Sequence, residues 1–586
     1  MVLVLSTSAW SQTTTRLSVS ASGVQGDQSS FAAAPSMTSD GRYVVFASRA
    51  TFVTGNSAGT SQIYVSDRQT GALELVSVNP SGNPGNAGSF NPTISADGRW
   101  VAFTSNAWDL VPGDTNGFSD IFVRDRVNGA TELLHVGLGG TQGNDQMYSP
   151  VISTDGTCVA FQSAATNLTA SGTVSSFQIF VYDRQAAATT LVSASTSGTP
   201  ASAPCYSPAI SADGRYVAFN TVAGNIVLND GNNTHDVFLR DRLTATTELI
   251  SISMTGGVGN QESIGPAISG DGRFVAFASY ATDLVPGDAN GQWDIFLRDR
   301  LFSTTELVSI GPNAVQANAF SAMPSVTDDG RFVAFWSQAS NLVASGTIPS
   351  PELYVHDRQA GVNEVVSQSS SGVIGNDTVI NGNYFPATIS SDGRLIAFHS
   401  FATNLVPDDT NHLFDVFMRD RGPRIVAFCF GDGTGAACPC GNNGAPMHGC
   451  ESSQATGGAI LAASGASSLS GDNLVFTSSN ELPTALSIVL QGSATNNGAS
   501  FGDGVKCVTG ALKRLYVKSA SGGVATAPGP GDPSVSTRSA SAGDAIPAGA
   551  SRFYQVYYRD PSPTFCAAPQ GNTWNISSGL AIVWNY

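Results

Sequence analysis

Lysine is almost missing from this chain. Lys506, Lys513 and Lys518 are the only three in 586 residues, and all lie near the C-terminal end. Lysine and arginine together number 27 against 44 aspartates and glutamates, a formal charge of −17. Nucleic-acid binding depends on basic patches that neutralise phosphates, so this balance argues against nucleic acid as a partner. Long apolar runs are missing as well, and none reaches the roughly 20 residues that a membrane-spanning helix needs. There is no H-E-x-x-H pair and no phosphate-cradling glycine loop. The six histidines, His135, His235, His356, His399, His412 and His448, share no local metal-ligating spacing. Each reads as a surface or turn residue. What these absences leave open is an acid pair brought together by folding, which is all that glycoside hydrolysis requires.

What the chain has is repetition. A segment of the form P-x-I-S-x-D-G-R-aromatic-V-A-F, then D-I-F-x-R-D-R, then T-E-L-V-S recurs seven times. Its Asp-Gly core falls at Asp40, Asp97, Asp155, Asp213, Asp271, Asp329 and Asp392, at intervals of 57, 58, 58, 58, 58 and 63 residues. A fixed period of this size marks a repeat architecture. In the fifth copy, Pro266–Ser269 is a short apolar run and Asp271-Gly272 a turn, because Gly tolerates positive φ and Asp bonds its own backbone. Phe274–Ser279, Asp294–Arg298 and Thr305–Ser309 are rich in β-branched and aromatic residues and read as three further strands. Four short strands per copy predict one antiparallel sheet each, and seven sheets around an axis make a seven-bladed β-propeller. A linear stack of sheets is the alternative.

The ends of the array decide between them. The seventh copy stops after Asp415–Arg421, without its fourth strand. The segment Thr15–Gly23 matches the fourth strand of the first copy, Leu73–Gly82. The N-terminal strand is therefore expected to complete the last blade and close the ring, which removes exposed sheet edges. The seven S-x-D-G-R-x-V-A-F segments, such as Ser211–Phe219, resemble the WD40-like (PD40) repeat of TolB-type propellers over about residues 13–424. TolB-type propellers usually carry six copies, and this chain carries seven. The resemblance implies the fold; propellers serve as binding modules, hydrolases and lyases alike, so it implies no single function.

Three segments are expected: a signal-peptide remnant over 1–12, the propeller over 13–424, and a Cys-rich β-sandwich or jelly roll over 425–586. Met1–Leu5 followed by Ser6–Gln12 looks like the end of a secretory signal. Eight cysteines suit an oxidising compartment. Cys429, Cys438, Cys440, Cys450, Cys507 and Cys566 lie in the tail and suggest three disulfides, with zinc at Cys438-Pro439-Cys440 as the rival. The C-x-C spacing departs from the usual C-x₂-C knuckle. Cys158, which replaces the aromatic after D-G-R, and Cys205 are expected to form an inter-blade disulfide. The tail segments Cys429–Cys450 and Phe501–Cys507 resemble an uncharacterised C-terminal domain of large secreted bacterial proteins, which implies attachment or binding. Tyr554, Tyr557, Tyr558 and Trp584 could stack on sugars, but their alternation favours a core.

Four repeats carry an acidic loop between their second and third strands. Its members are Asp114, Asn116 and Asp120; Asp230, Asn232 and Asp236; Asp288, Asn290 and Asp294; and Asp409, Asn411 and Asp415. Oxygen ligands at positions 1, 3 and 7 of a tight loop suit a hard cation such as Ca2+, although the bidentate Glu of a full calcium loop is missing. The competing reading is an Asx turn that caps backbone amides. The other three repeats lose the first carboxylate and end instead on Gln62, Gln178 and Glu352. The repeat arginines, including Arg99, Arg126, Arg242 and Arg300, read as structural partners of the repeat aspartates. Taken together, the sequence predicts a secreted, noncatalytic protein that binds an extracellular or envelope protein or polysaccharide. A polysaccharide lyase or glycoside hydrolase on the same scaffold, and a structural cell-surface component, are the alternatives.

Overall fold

The computed structural model describes residues 12–584 except 31–33, 54–55, 57–58, 135–136, 171–175, 345–350, 377–385, 423–424, 429–437, 439–442, 446–447, 451, 465–466, 468, 470–471, 502–503, 548–549 and 561–573. Residues 1–11 of the signal remnant expected over 1–12, together with His135, Cys429, Cys440 and Cys566, lie outside the described residues. The chain divides into two compact units, one spanning Gln12–Asp420 and the other running from Arg421 onward.

In the first unit the described residues form seven four-stranded antiparallel sheets. The second sheet shows why. Its strands are Ser89–Ile94, Trp100–Ser105, Asp120–Asp125 and Ala130–Leu133. The turn between the first two is made by Asp97, whose Oδ1 accepts the Ser95 hydroxyl at 2.6 Å and the Arg99 N–H at 3.0 Å. Gly98 follows at φ 72°, and a Cβ there would stand 2.5 Å from the Tyr43 ring of the preceding sheet. Glycine is thus required by both conformation and packing. Val101, Ala102 and Phe103 are all sealed from solvent. Val101 and Phe103 pack with Val45 and Ala47 of the sheet before, whereas Ala102 packs with Val159 and Phe161 of the sheet after. Each sheet is buried on both faces, so its second strand reads as a continuous apolar run.

The first strands lie side by side in sequence order, and Ser36–Met37 of the first sheet touches both Ser89–Ile94 and Thr388–Ile389 of the seventh. The seventh sheet takes its fourth strand from the other end of the chain: Thr13–Arg16 pairs antiparallel with Asp415–Asp420, with Thr13 opposite Asp420 and Arg16 opposite Phe417. Each sheet has two ends. At the turn end lie the D-G turns and the hairpins between third and fourth strands. At the loop end lie the acidic loops and the connections to the next sheet.

The second unit contains a six-stranded sheet built from Ile425–Phe428, Gly579–Val583, Ser551–Arg559, Leu486–Gly492, Lys513–Ser519 and Trp574–Ile576. A three-stranded sheet of Ile460–Ser464, Val475–Ser479 and Ala525–Ala527 shares a core with it: Leu461 and Phe476 meet Val489, Tyr554, Leu580 and Trp584. Tyr554, Tyr557, Tyr558 and Trp584 are all buried, so these rings are core and offer no stacking surface. Cys438 and Cys450 form a disulfide, which removes both from thiolate ligation of zinc. Cys507 is disulfide-bonded as well. No helix among the described residues is long and apolar enough to cross a membrane.

The expected Cys158–Cys205 disulfide is not formed, and both cysteines are free and buried. Although their strands are neighbours, they sit at opposite ends. Cys158 pairs with Asp183 at the turn end of the third sheet, whereas Cys205 pairs with Thr221 at the loop end of the fourth. Five residues of strand separate those levels, about 16 Å, far beyond the reach of about 7 Å that a disulfide spans.

Candidate functional site

The four acidic loops share one geometry. Asn232 accepts the Thr234 N–H on Oδ1 at 3.0 Å, so its Nδ2 faces inward and donates to Asp236 Oδ2 at 2.7 Å and to the Gly259 carbonyl at 2.9 Å. Asn290 does the same with the Gln292 N–H, Asp294 Oδ2 and the Ala317 carbonyl. Asn116 and Asn411 repeat the pattern toward Asp120 and Asp415. The asparagine is therefore an Asx-turn residue that ties its loop to the next connection. The first aspartate meets a glutamine in three loops: Gln142 at 3.4 Å from Asp114, Gln316 at 2.8 Å from Asp288, and Gln25 at 2.8 Å from Asp409. Val258 stands at the matching place in the fourth sheet.

The last residue of each loop opens the third strand, and in three of the four loops it is gripped by a serine just beyond the fourth strand. The Ser251 hydroxyl donates to Asp236 at 2.8 Å and accepts the Val237 N–H at 3.1 Å. Ser309 serves Asp294 in the same way, and Ser18 serves Asp415. The loops without acidic signatures keep this clamp, with Ser77 on Gln62, Ser193 on Gln178 and Ser367 on Glu352. An amide or acid oxygen suffices there, which is why Gln, Glu and Asp exchange at this position. Burial raises the carboxyl pKa to about 7 at Asp120 and Asp236, about 6 at Asp294 and about 8 at Glu352.

Arginines serve the turn end. Arg99 grips Asp125 through Nε at 3.0 Å and Nη2 at 2.7 Å, holding that carboxyl well below the usual range. Arg215, Arg273, Arg331 and Arg394 repeat the fork on Asp241, Asp299, Asp357 and Asp420. Arg126 and Arg300 differ from the sequence expectation. They pair with Glu74 and Glu248 of the preceding sheet rather than with aspartate, and each lies over an aromatic ring of that sheet, Tyr43 or Tyr216. Between the third and fourth sheets this seam is altered. Thr157, Cys158 and Thr190 occupy the places of arginine, aromatic and glutamate, and Arg242 reaches the Gly214 carbonyl at 2.6 Å and Cys158 Sγ at 3.4 Å.

The loop end also carries rings that sequence analysis did not single out. Tyr148 meets Phe177 and Tyr206 meets His235, at centroid distances of 6.1 and 5.8 Å. Tyr280, Trp293 and Phe320 form a chain at 6.0 and 6.5 Å, and Phe401 packs on Phe414 at 5.3 Å. All are half-buried except Tyr280, which is exposed. A signal was there: Phe177, His235, Trp293 and Phe414 each stand immediately before a third strand. Gly498-Ala499-Ser500-Phe501-Gly502 has nucleophile-elbow spacing, but Ala494–Phe501 is a strand paired in a hairpin with Gly504–Thr509, without the strand–turn–helix context that an elbow needs.

No family model matches the chain, and no curated protein matches it. Among solved structures it is similar to an oligogalacturonate lyase from Vibrio parahaemolyticus, at 15% identity and a TM-score of 0.41, covering 70% of this chain and 93% of that one. It is also similar to a putative TolB from Agrobacterium tumefaciens, at 18% identity and a TM-score of 0.30 over 56% of this chain and 89% of that one. For TolB from Acinetobacter baumannii the values are 12% and 0.31, over 61% and 76%. At these scores the likeness is loose.

Proposed function

We propose that residues 13–424 form a seven-bladed β-propeller closed by its N-terminal strand, that residues 425–586 form a disulfide-containing β-sandwich, and that the protein is exported. Its role is to bind an extracellular or envelope partner, glycan or protein, without transforming it. The observation that carries this reading is the series of half-exposed aromatic rings at the loop end, contributed by successive sheets. Such rings present flat apolar faces beside polar loop atoms, the combination that stacks on sugar rings or on aromatic and aliphatic side chains. The Cys438–Cys450 disulfide supports export.

Native affinity electrophoresis through gels containing a panel of polysaccharides tests this function. Retardation by a glycan, lost in a Tyr280→Ala/Trp293→Ala double variant, is the expected result. Depolymerised polysaccharide in the lane would make the protein a lyase or glycoside hydrolase instead. Mobility unchanged by every polymer would assign the rings to a protein partner.

A further inference from the structure

Three residues that break the repeat meet where the fourth and fifth sheets adjoin at the loop end. Glu262 stands immediately before its sheet's first strand, where the second, third, fourth and sixth sheets carry Gly88, Gln146, Pro204 and Phe320. His235 holds the place of Ser119, Phe177 and Trp293 before the third strand, and Asn220 the place of Thr104, Gln162 and Ala278 on the second. The His235 imidazole lies between the other two, with Nδ1 at 3.2 Å from Asn220 Nδ2 and Nε2 at 4.0 Å from Glu262 Oε1. Tyr206 packs on that imidazole and stands opposite Asn220 in the strand pairing. The Tyr280 N–H donates to the Glu262 carbonyl at 2.9 Å, so the Tyr280–Trp293–Phe320 chain of rings begins at the residue paired with Glu262.

Two acceptors at this seam are unused. Asn220 is only 3% exposed, and its Oδ1 meets no hydrogen-bond donor. The Glu262 side chain is 40% exposed, and its one ion-pair partner among the described residues is His235, too distant for a hydrogen bond. Burial lowers the proton affinity of His235, so near pH 7 the imidazole is neutral and the carboxylate charge stays uncompensated. The surrounding loops supply no cation. Residues 220–236, 250–263 and 279–294 hold six carboxylates and neither lysine nor arginine. A free carboxylate beside aromatic faces, in a field of one sign, attracts a cationic ligand and repels an anionic one.

We propose that this seam binds an amino-sugar polysaccharide through its free ammonium groups. Glu262 pairs with an ammonium, and Tyr206 and Tyr280 flank it with ring faces. Asn220 Oδ1 accepts from a water that bridges to the sugar hydroxyls. Rings in series suit the repeated flat faces of a polysaccharide better than the scattered lysines of a peptide. The glycan reading above is the premise, and amino-sugar recognition narrows it: uncharged and uronate-rich glycans bind more weakly.

Isothermal titration calorimetry of the full chain with a glucosamine hexamer and its fully N-acetylated counterpart, at pH 6 and about 0.15 M salt, tests this. The cationic hexamer is expected to bind about tenfold more tightly than the acetylated one. Glu262→Gln should cut that preference to about twofold. Asp145→Asn, which removes the same charge from the connection into the third sheet, should leave it intact. Equal affinity of the parent for the two hexamers overturns the inference and leaves glycan binding standing. A preference lost equally in both variants also overturns it, because overall charge would then be its source. Binding of oligolysine but of neither hexamer overturns it in favour of a basic protein segment. Failure of the glycan reading itself shows separately, as an electrophoretic mobility that no polysaccharide changes.

Discussion

The hydroxyl of Ser18 donates to Asp415 Oδ1 at 2.5 Å across 397 residues of sequence. Ser18 Oγ in turn accepts the Val416 N–H at 3.0 Å, so one side chain from the start of the chain anchors the last sheet of the repeat array. Every other described copy of this clamp joins residues 15 apart, as in Ser309 with Asp294. Only in the seventh sheet does it join the two ends.

Ser18→Ala should therefore act on the whole array. It leaves the buried Asp415 carboxyl and the Val416 amide without their partner, at a cost of about 1–3 kcal/mol. Removing residues through Ser18 strips the entire strand and exposes a sheet edge, and should lower the urea midpoint further than Ser18→Ala does. Urea unfolding followed by tryptophan fluorescence compares the two. A truncated protein as stable as the parent would contradict the closure.

The seam between the third and fourth sheets is under-built relative to its sisters. A Cys158→Tyr change supplies the ring that Arg300 and Arg126 find in Tyr216 and Tyr43. It should stabilise the protein by about 1 kcal/mol, the value of a partly desolvated cation–π contact. Adding Thr190→Glu gives Arg242 the carboxylate that Glu248 gives Arg300, and should add to that gain. Thermal unfolding of the single and double variants reads both steps. A fall in Tm with Cys158→Tyr would show that the seam is packed for cysteine.

Alkylation and mass spectrometry check the cysteines. Denatured without reductant, the protein should be labelled at Cys158 and Cys205, while Cys438 and Cys450 should be labelled only after reduction. The native protein should react slowly at Cys205, since burial pushes that thiol up to about 12. A peptide joining Cys158 to Cys205 would contradict the free state of both.

Glu352 makes stability depend on pH. Burial raises its pKa to about 8, far above the ordinary carboxyl value of about 4.3. The folded protein holds this proton more tightly than the unfolded chain. The resulting stabilisation is complete below about pH 4 and disappears as pH rises toward 8. Glu352→Gln copies Gln62 and Gln178, which take the same serine clamp with no charge. The variant should gain on the order of 1–3 kcal/mol over the parent at pH 8.5 and nothing at pH 4. Parallel urea profiles for both proteins at pH 4 and 8.5 would decide it, and equal profiles would count against a buried ionisable Glu352.

Much of this fold was legible in the chain because the repeat encodes it locally. Asp294–Arg298 reads as a strand, and Asp294–Asp299 is one. The seventh sheet's missing partner was traceable because Leu17-Ser18 repeats Val76-Ser77. First strands were harder: Ser263–Ile268 begins three residues before Pro266, where the expected run began, because a register shift between Ile264 and Ala267 and a positive φ at Gly265 break the alternation. The pairing of Arg126 with Glu74 spans 52 residues and crosses sheets, so no local pattern reveals it. The cysteine pairing failed for a related reason. The period says which strands are neighbours, but only the register says which ends meet. The acidic loops stood out in sequence, yet the inward turn of the asparagine amides depends on carbonyls one loop further on, such as that of Gly259.

Closure of the repeat array depends on the pairing of its N-terminal strand with the seventh sheet. Thr15 lies opposite Met418 in that pairing, within the Cα spacing of facing antiparallel residues that a disulfide can bridge. Thr15→Cys/Met418→Cys, oxidised gently as the folded monomer and digested, should yield a peptide pair joining those two positions, with a higher Tm than the reduced form. A monomer that never forms this link, or forms it only between molecules, would contradict the closed ring.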